Sequence, residues 1–279
     1  MLADETLAGP VGNLSLSLHR PSAWLETVID FIYGQLAGWR DDHGRPPVTA
    51  ETRLTAQLCQ FLNSATGPAG LDSIVFQAEV PDPVAVGRTL DLVPGPRGCV
   101  IWIDGRRHSL YDPILPIECK RLPTPVAKDR ERREYLHTQK RTTGGIQRFK
   151  SGAHGSAHGV GVMIGYVQTG TLQQWLARIN RWIRVLTRAG IAGWSHREGL
   201  RRVAGEATLG IARHRSKNSR TSAAPITLHH LWIDMRAAPA PAAAIGRATN
   251  GNKRIAPGQT KGRATTRSTA IRPVPPAGR

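Results

Sequence analysis

The chain has 279 residues, of which 40% are apolar, and this content predicts a globular protein with a sizeable core rather than a disordered chain. Its 38 Lys and Arg residues against 20 Asp and Glu give a formal net charge of +18. A surplus of this size attracts polyanions, through a long-range field and through the release of counterions from phosphates. Nucleic acid is therefore the first partner that the composition predicts.

The positive charge is unevenly distributed along the chain. Residues 1–100 hold 6 Lys and Arg against 11 Asp and Glu, whereas residues 101–279 hold 32 against 9.

Residues 237–279 hold 8 of these basic residues and no acid, in a composition of Ala, Pro, Gly, Thr and Arg with few large apolar groups. Burial in such a segment cannot offset the entropy of ordering, so we expect a disordered basic tail.

The cysteines and the hydropathy pattern exclude several classes of protein. Cys59, Cys99 and Cys119 are odd in number and form no CxxC pair, which argues against a disulfide framework and against a zinc site. The N-terminal residues lack a basic segment followed by an apolar one, and no run of about 18 apolar residues occurs. We therefore expect a cytoplasmic protein that is neither exported nor inserted in a membrane.

Apolar periodicity and turn residues predict helices and strands in a definite order. In the first half the predicted elements are a helix over 22–39, a helix over 49–63, and strands over 73–80, 88–93, 99–103, 106–111 and 114–122. In the second half they begin with a charged surface helix over 127–140, a short helix over 146–150 and a strand over 159–168 that is buried on both faces. A helix over 171–189 follows, and then strands over 207–213 and 226–235, which a basic loop over 214–224 joins.

The strand over 114–122 is apolar until it ends in Glu118, Cys119 and Lys120. Because side chains alternate along a strand, Glu118 and Lys120 share one face. A carboxylate there can hold a divalent metal, and the ammonium can orient a water or stabilise charge on a phosphate. A solvated Glu-Lys pair has the same spacing, but a second acid, Asp91, lies between apolar residues in the earlier strand over 88–93. This context favours a metal-binding catalytic site over a solvated Glu-Lys pair.

At these residues the chain resembles the PD-(D/E)XK, restriction-endonuclease-like nucleases, over roughly residues 51–168. Their core has the order αβββαβ, with an Asp on the second strand and E-x-K on the third, and the predicted order here agrees. The resemblance implies an α/β fold with a mixed central sheet flanked by helices. It also implies that Asp91 and Glu118 bind Mg²⁺, which Mn²⁺ can replace, and that Lys120 serves the attacking water.

Further site residues follow from the same resemblance, each with an alternative. Glu51 would be a first-helix acid that joins the metal site, although an acid in the first turn of a helix also complements the macrodipole. Gln147 is the first candidate for a polar side chain near the scissile phosphate, with Arg148 second. Asp82, next to Pro81, is the alternative to Asp91, although a position between two prolines is typical of a turn.

Two other groups of residues are weaker candidates. Asp112 could be a further ligand if a bulge turned it inward, but it precedes Pro113 and more often such a residue starts a turn. His154 and His158 lie in a Gly-rich loop and form neither an HxH nor an HExxH motif, so we do not expect them to bind metal.

The sequence thus predicts three regions: an N-terminal helical segment packing on the core over 1–48, a PD-(D/E)XK nuclease-like domain over 49–236, and the disordered basic tail over 237–279.

The implied function is a Mg²⁺-dependent endonuclease that hydrolyses phosphodiester bonds in DNA, with double-stranded DNA as its expected partner. By resemblance, this extends to a role in restriction or phage defence in bacteria and to a homodimer. Two alternatives stay open: an inactive nucleic-acid-binding module of the same fold, and a basic interaction protein whose acids are incidental.

Overall fold

A computed structural model describes residues 23–82, 87–103, 105–127, 131–140, 142–221 and 223–236. The predicted tail over 237–279, and the predicted N-terminal segment before residue 23, lie outside these ranges. Within them, no helix is long and apolar enough to cross a lipid bilayer.

Four α-helices, one short 3-10 helix (His196–Glu198) and nine strands form in the described ranges. The helices are α1 (Ala23–Asp41), α2 (Glu51–Thr66), α3 (Gly145–Lys150) and α4 (Leu172–Arg188). The strands are β1 (Ile74–Pro81), β2 (Thr89–Pro96), β3 (Ile101–Ile103), β4 (Arg106–His108), β5 (Ile117–Leu122), β6 (Val160–Val167), β7 (Arg201–Glu206), β8 (Ile211–Asn218) and β9 (Ile226–Asp234).

The protein is a mixed α/β structure built on one sheet. In the described part of the chain, seven strands pair in the order β1-β2-β5-β6-β9-β8-β7. The central strands β5, β6 and β9 are parallel, and the outer pairs are antiparallel. Strands β3 and β4 form a separate two-stranded ribbon between β2 and β5 along the chain. The mixed sheet predicted from the sequence is therefore present.

Helices cover both faces of this sheet. On one face, α1 and α2 bury apolar side chains against the strands, among them Ile29, Ile32, Leu54, Leu58, Leu92, Cys119 and Ile164. On the other face, α3 and α4 do the same, with Ile146, Phe149, Met163, Trp175, Ile179, Leu228 and Trp232. Each fully buried Leu or Ile contributes about 1.5–3 kcal/mol relative to an exposed one. Because Cys119 faces α2, the alternate residues Glu118 and Lys120 face the α3 side.

The predicted surface helix over 127–140 does not form in the residues of that range that the structure describes, 127 and 131–140. The described residues 131–140 form turns, and Tyr135 and Leu136 are fully buried in the core on the α3 face. The carbonyl groups of Glu134, Tyr135 and Leu136 accept hydrogen bonds from the first three N–H groups of α3, at 2.8–3.2 Å. These carbonyls satisfy the donors that a helix start leaves free, which a helical segment could not do. The segment therefore caps α3.

The C-terminal strands also differ from the prediction over 207–213 and 214–224. Strand β8 runs Ile211–Asn218, so half of the predicted basic loop is strand, and β7 precedes it. Five of the six residues of β7 are exposed, and three of the six are charged. An edge strand needs backbone partners on one side only and can lack apolar alternation, so β7 has no sequence signature of its own.

Candidate active site

Four of the predicted site residues lie together at the junction of β2, β5 and the N-terminus of α2. The ammonium nitrogen Nζ of Lys120 is 2.8 Å from Glu118 Oε1, 3.1 Å from Glu51 Oε1 and 3.6 Å from Asp91 Oδ2. Both Glu118 and Lys120 are almost completely buried. We refer to Glu51, Asp91, Glu118 and Lys120 as the acidic cluster. It brings together a helix terminus and two strands that lie up to 69 residues apart in the chain.

Backbone hydrogen bonds from β5 hold two of the three carboxylates in place. Asp91 Oδ2 accepts the N–H of Cys119 at 2.7 Å, and Glu51 Oε2 accepts the N–H of Arg121 at 3.0 Å. Strands β2 and β5 share a single paired position, Leu92 with Ile117, so the Asp91 side chain replaces a backbone partner where the strands diverge. Glu51 therefore belongs to the cluster as well as to the first turn of α2.

Burial and charge shift the pKa values of two groups in the acidic cluster. Burial, and then repulsion from Glu118, raise the pKa of Asp91, while Lys120 and the Cys119 N–H act in the opposite direction. Burial lowers the pKa of Lys120. The attraction of the Lys120 ammonium to the carboxylates of Glu118, Asp91 and Glu51 outweighs this effect and raises the pKa above its ordinary value. Lys120 therefore carries its proton in this arrangement and acts as a charged donor.

Helix α3 directs Arg148, and not Gln147, toward the cluster. Arg148 Nη1 lies 2.9 Å from Glu118 Oε1. The side-chain oxygen of Gln147 instead accepts the N–H groups of Thr138 and Gly144, at 3.0 and 3.3 Å, so it caps the helix. Successive residues on a helix point about 100° apart, and only one of the two can face β5. Gln147, the first candidate from the sequence, is therefore not part of the cluster.

The close approach of α3 requires glycine at its start. A Cβ at Gly144 would lie 2.4 Å from the Cα of His137, and a Cβ at Gly145 would lie 2.5 Å from Met163 Cε. Real Cβ atoms do not approach backbone atoms as closely as at Gly144, whereas Met163 Cε at Gly145 is the end of a flexible side chain. Gly144 above all therefore lets the helix N-terminus pack against the turns over 131–140. This packing places Arg148 beside Glu118.

The remaining candidates occupy two different environments. Asp112 Oδ2 accepts the N–H and the hydroxyl of Ser109, at 2.8 and 2.6 Å, and these bonds lower its pKa in an exposed turn. Asp82 is buried, with Oδ2 at 3.9 Å from Nδ1 of His154. His154 in turn places Nε2 at 3.6 Å from Glu118 Oε2. Burial lowers the pKa of His154 to about 4, so its ring is neutral at neutral pH. Sequence reasoning gave His154 no role, because a histidine in a Gly-rich loop has no periodicity to place it.

A cleft of roughly 270 Å³ opens beside the acidic cluster. Its lining combines two arginines, three threonines, a glycine and a histidine: Gly87, Arg88, Thr89, Thr142, Thr143, Arg148 and His154. Guanidinium and hydroxyl groups are the donors that phosphate oxygens accept most readily. The cleft can therefore take an anionic group next to Glu118 and Lys120.

The donor atoms of the acidic cluster bear on whether it can hold a divalent metal. No group of three or more His, Cys, Asp or Glu side chains in the described ranges is arranged as a ready metal site. The Lys120 ammonium lies among the carboxylates instead. However, Glu118 Oε2 is buried and has no hydrogen-bond partner there, and carboxylate oxygens are the ligands that Mg²⁺ prefers. The donor chemistry therefore fits a cation held by Asp91 and Glu118.

The cluster combines acids that can hold a cation, a buried ammonium, and a cleft suited to phosphate. These are the groups that metal-assisted hydrolysis of a phosphodiester needs. Comparison of the chain with protein-family models, with curated proteins and with solved structures finds no significant match.

Proposed function

We propose that this protein is a Mg²⁺-dependent endonuclease that hydrolyses phosphodiester bonds in DNA, with a PD-(D/E)XK centre on a restriction-endonuclease-like core. The observation that carries the proposal is the contact of Lys120 with Asp91 and Glu118 from two neighbouring strands. Burying Glu118 and Lys120, and partly burying Glu51, Asp91 and Arg148 around them, costs desolvation energy, so a merely structural origin of the cluster is disfavoured. The chain order α2, β1, β2, β5, α3, β6 supports the same assignment.

Each residue of the centre has a role in this proposal. Asp91 and Glu118 would hold Mg²⁺, which when bound polarises the phosphate and lowers the pKa of the attacking water. Lys120 donates to that water or to the phosphate oxygens, and Glu51 keeps the Lys120 side chain in place. Arg148 is positioned by Glu118 at the edge of the cleft, where it can bind a phosphate oxygen.

A basic groove supports nucleic acid as the partner. It encloses roughly 640 Å³ at the β7 edge of the sheet and is lined by five cations: Arg197, Arg201, Arg202, Arg215 and Lys217. In the described part of the chain, none of the five forms an ion pair. Arg201 and Arg215 stand directly opposite each other on paired strands, an arrangement that repels unless an anion lies between them. Phosphates of a nucleic acid would supply that anion.

The groove gives a test of where the nucleic acid lies. The triple substitution Arg201→Ala, Arg215→Ala and Lys217→Ala is expected to weaken duplex binding and to reduce the slope of log affinity against log salt by up to about 2.7, since each phosphate contact contributes about 0.9. Fluorescence anisotropy at several salt concentrations measures both quantities.

The matched control removes the same charge from another exposed surface. Arg181, Arg184 and Arg188 lie on the exposed face of α4, and their joint substitution by alanine should change the slope much less. Equal effects of the two triple variants would contradict a localised groove and would show that only net charge matters.

A second candidate function is a nucleic-acid-binding module of the same fold without activity. It is favoured by the position of the Lys120 ammonium among the carboxylates, where a metal ion would compete with it.

Cleavage by the wild-type protein decides between the two candidates. We expect the full chain with Mg²⁺ or Mn²⁺ to cut supercoiled plasmid and linear duplex DNA, and chelation by EDTA to stop the reaction. Single-stranded DNA and RNA serve as further substrates in the same assay. Binding without cleavage of any substrate, with either cation, would reject the nuclease and favour the binding module.

A further inference from the structure

His154 is a buried histidine whose ring has no hydrogen-bond partner in the described part of the chain. Its side chain is 1% exposed, and neither ring nitrogen has a hydrogen-bond partner within the described residues. Most buried polar side chains are hydrogen-bonded, because an unpaired polar group costs about 1–3 kcal/mol. The position of this ring therefore needs an explanation other than packing.

The loop that carries His154 is firmly placed. The N–H groups of Ala153 and His154 donate to the carbonyl of Arg148, at 2.8 and 3.2 Å. Gly155 has a φ of +58°, and a Cβ there would lie 2.6 Å from Pro116 Cγ, so the loop turns tightly against the chain that enters β5. The ring of His154 also packs 6.2 Å from the ring of Phe149. These contacts hold the ring beside Glu118.

A ring nitrogen of His154 lies close to a carboxylate oxygen of Glu118, at the side of the acidic cluster. His154 Nε2 lies 3.6 Å from Glu118 Oε2, and both atoms are buried and lack a hydrogen-bond partner among the residues that the structure describes. This separation is too long for a hydrogen bond. Two ligands at about 2.1 Å from one shared ion lie roughly 3.0–3.4 Å apart, so a shift of a few tenths of an ångström would let both bind the same ion. The other oxygen, Glu118 Oε1, is already used by Lys120 and Arg148.

The second ring nitrogen has the neighbour that a metal-binding histidine requires. Nδ1 of His154 lies 3.9 Å from Asp82 Oδ2. Histidine ligands typically donate their other N–H to a carboxylate, which fixes the ring and increases its basicity. The present separation of 3.9 Å is too long for that hydrogen bond, so Asp82 would orient the ring only once the two atoms move closer together.

We propose that His154 Nε2 and Glu118 Oε2 together bind a divalent transition-metal ion, with Asp82 orienting the ring from the other side. This inference rests on the proposed function, because Glu118 is also a ligand of the proposed catalytic metal. A nitrogen ligand distinguishes this centre from one made of oxygen atoms alone. Imidazole is a ligand of transition metals such as Zn²⁺, whereas Mg²⁺ takes oxygen ligands and gives up its waters reluctantly, so we expect the centre to bind Mn²⁺ more tightly than Mg²⁺ and Zn²⁺ more tightly than Mn²⁺.

Pulsed electron paramagnetic resonance of Mn²⁺ bound to the full chain tests the assignment directly. Coordination by His154 should produce electron spin echo modulation from the ligating ¹⁴N nucleus. Incorporation of ¹⁵N-histidine should replace it with the ¹⁵N pattern. This readout uses the wild-type protein and depends neither on activity nor on the folding of a variant.

Variants then identify the histidine. His154→Ala should remove the nitrogen modulation and weaken Mn²⁺ binding at least about tenfold, and Asp82→Asn should weaken it by about tenfold while keeping the modulation. His158→Ala is the matched control, because His158 is in the same loop but its Nε2 lies 3.0 Å from the carbonyl oxygen of Pro113. This control should keep both the modulation and the affinity.

The outcomes separate this inference from the proposed function. One outcome is that Mn²⁺ binds to the wild type and not to Glu118→Gln, but shows no nitrogen modulation. This outcome would overturn the role of His154 and leave the nuclease proposal standing. Modulation that persists in His154→Ala would assign the nitrogen to another histidine and would also overturn it. A protein that binds no Mn²⁺ at millimolar concentration would overturn both this inference and the metal-dependent function.

Discussion

Lys120→Ala and Glu118→Gln are expected to abolish Mg²⁺-dependent DNA cleavage and to leave affinity for DNA nearly unchanged. Glu118→Gln keeps the shape of the side chain but removes the charge that would hold the metal. Lys120→Ala removes the ammonium that contacts all three acids of the cluster. A group that positions a reacting water or transfers its proton contributes about 10²–10⁴-fold to the rate. Affinity rests on many scattered Lys and Arg residues, so one lost contact changes it little.

The measurements are single-turnover cleavage with saturating protein and binding by anisotropy without metal. Asp112→Asn is the matched control, since Asp112 was a candidate acid from the sequence but its carboxylate caps an exposed turn. This variant should cleave like the wild type. Thermal unfolding of each variant checks that the fold survives. If Lys120→Ala and Glu118→Gln both cut as fast as the wild type, the wrong residues have been named, and Asp82 with another lysine becomes the next test.

Glu198→Ala is expected to destabilise the protein by about 3–5 kcal/mol, because it leaves a buried cation without its partner. Glu198 Oε1 lies 2.6 Å from Lys150 Nζ, and both side chains are less than 10% exposed. The same oxygen accepts the N–H and the hydroxyl of Ser219, at 2.8 and 2.7 Å, so this carboxylate ties α3 to the loop after β8. Burial lowers the pKa of Lys150, and Glu198 offsets that effect only in part.

Urea denaturation followed by tryptophan fluorescence measures the free energy of unfolding. The double variant Lys150→Met and Glu198→Leu should lose much less stability, because it removes both charges from the interior. Arg236→Ala breaks an exposed ion pair, Arg236 with Asp234, and should cost less than about 1 kcal/mol. A Glu198→Ala variant no less stable than Arg236→Ala would show that the buried pair does not hold this part of the fold together.

Local patterns in the sequence were sufficient for most elements. The helix predicted over 49–63 is α2, Glu51–Thr66, and the strand predicted over 159–168 is β6, Val160–Val167. The helix follows from apolar residues at helical spacing and the strand from a continuous apolar run, and both signals lie within a single segment and do not depend on its partners. Strand alternation also places Glu118 and Lys120 on one face of β5. Contact of Lys120 with Asp91 and Glu51 is found in the structure, while the catalytic roles of these residues stay predictions.

The sequence by itself therefore determined the charge surplus, the α/β class and the residues of the E-x-K strand. Tertiary structure alone decided that Arg148 and not Gln147 faces Glu118, because this depends on the rotation of α3 about its axis. It also decided that the charged segment over 131–140 buries Tyr135, whose hydroxyl is 2.8 Å from a ring nitrogen of His230, 95 residues later. The approach of His154 to Glu118 is of the same kind. Such contacts join residues that are distant in the chain, so no local periodicity carries them, and only packing of the whole sheet with its helices brings them together.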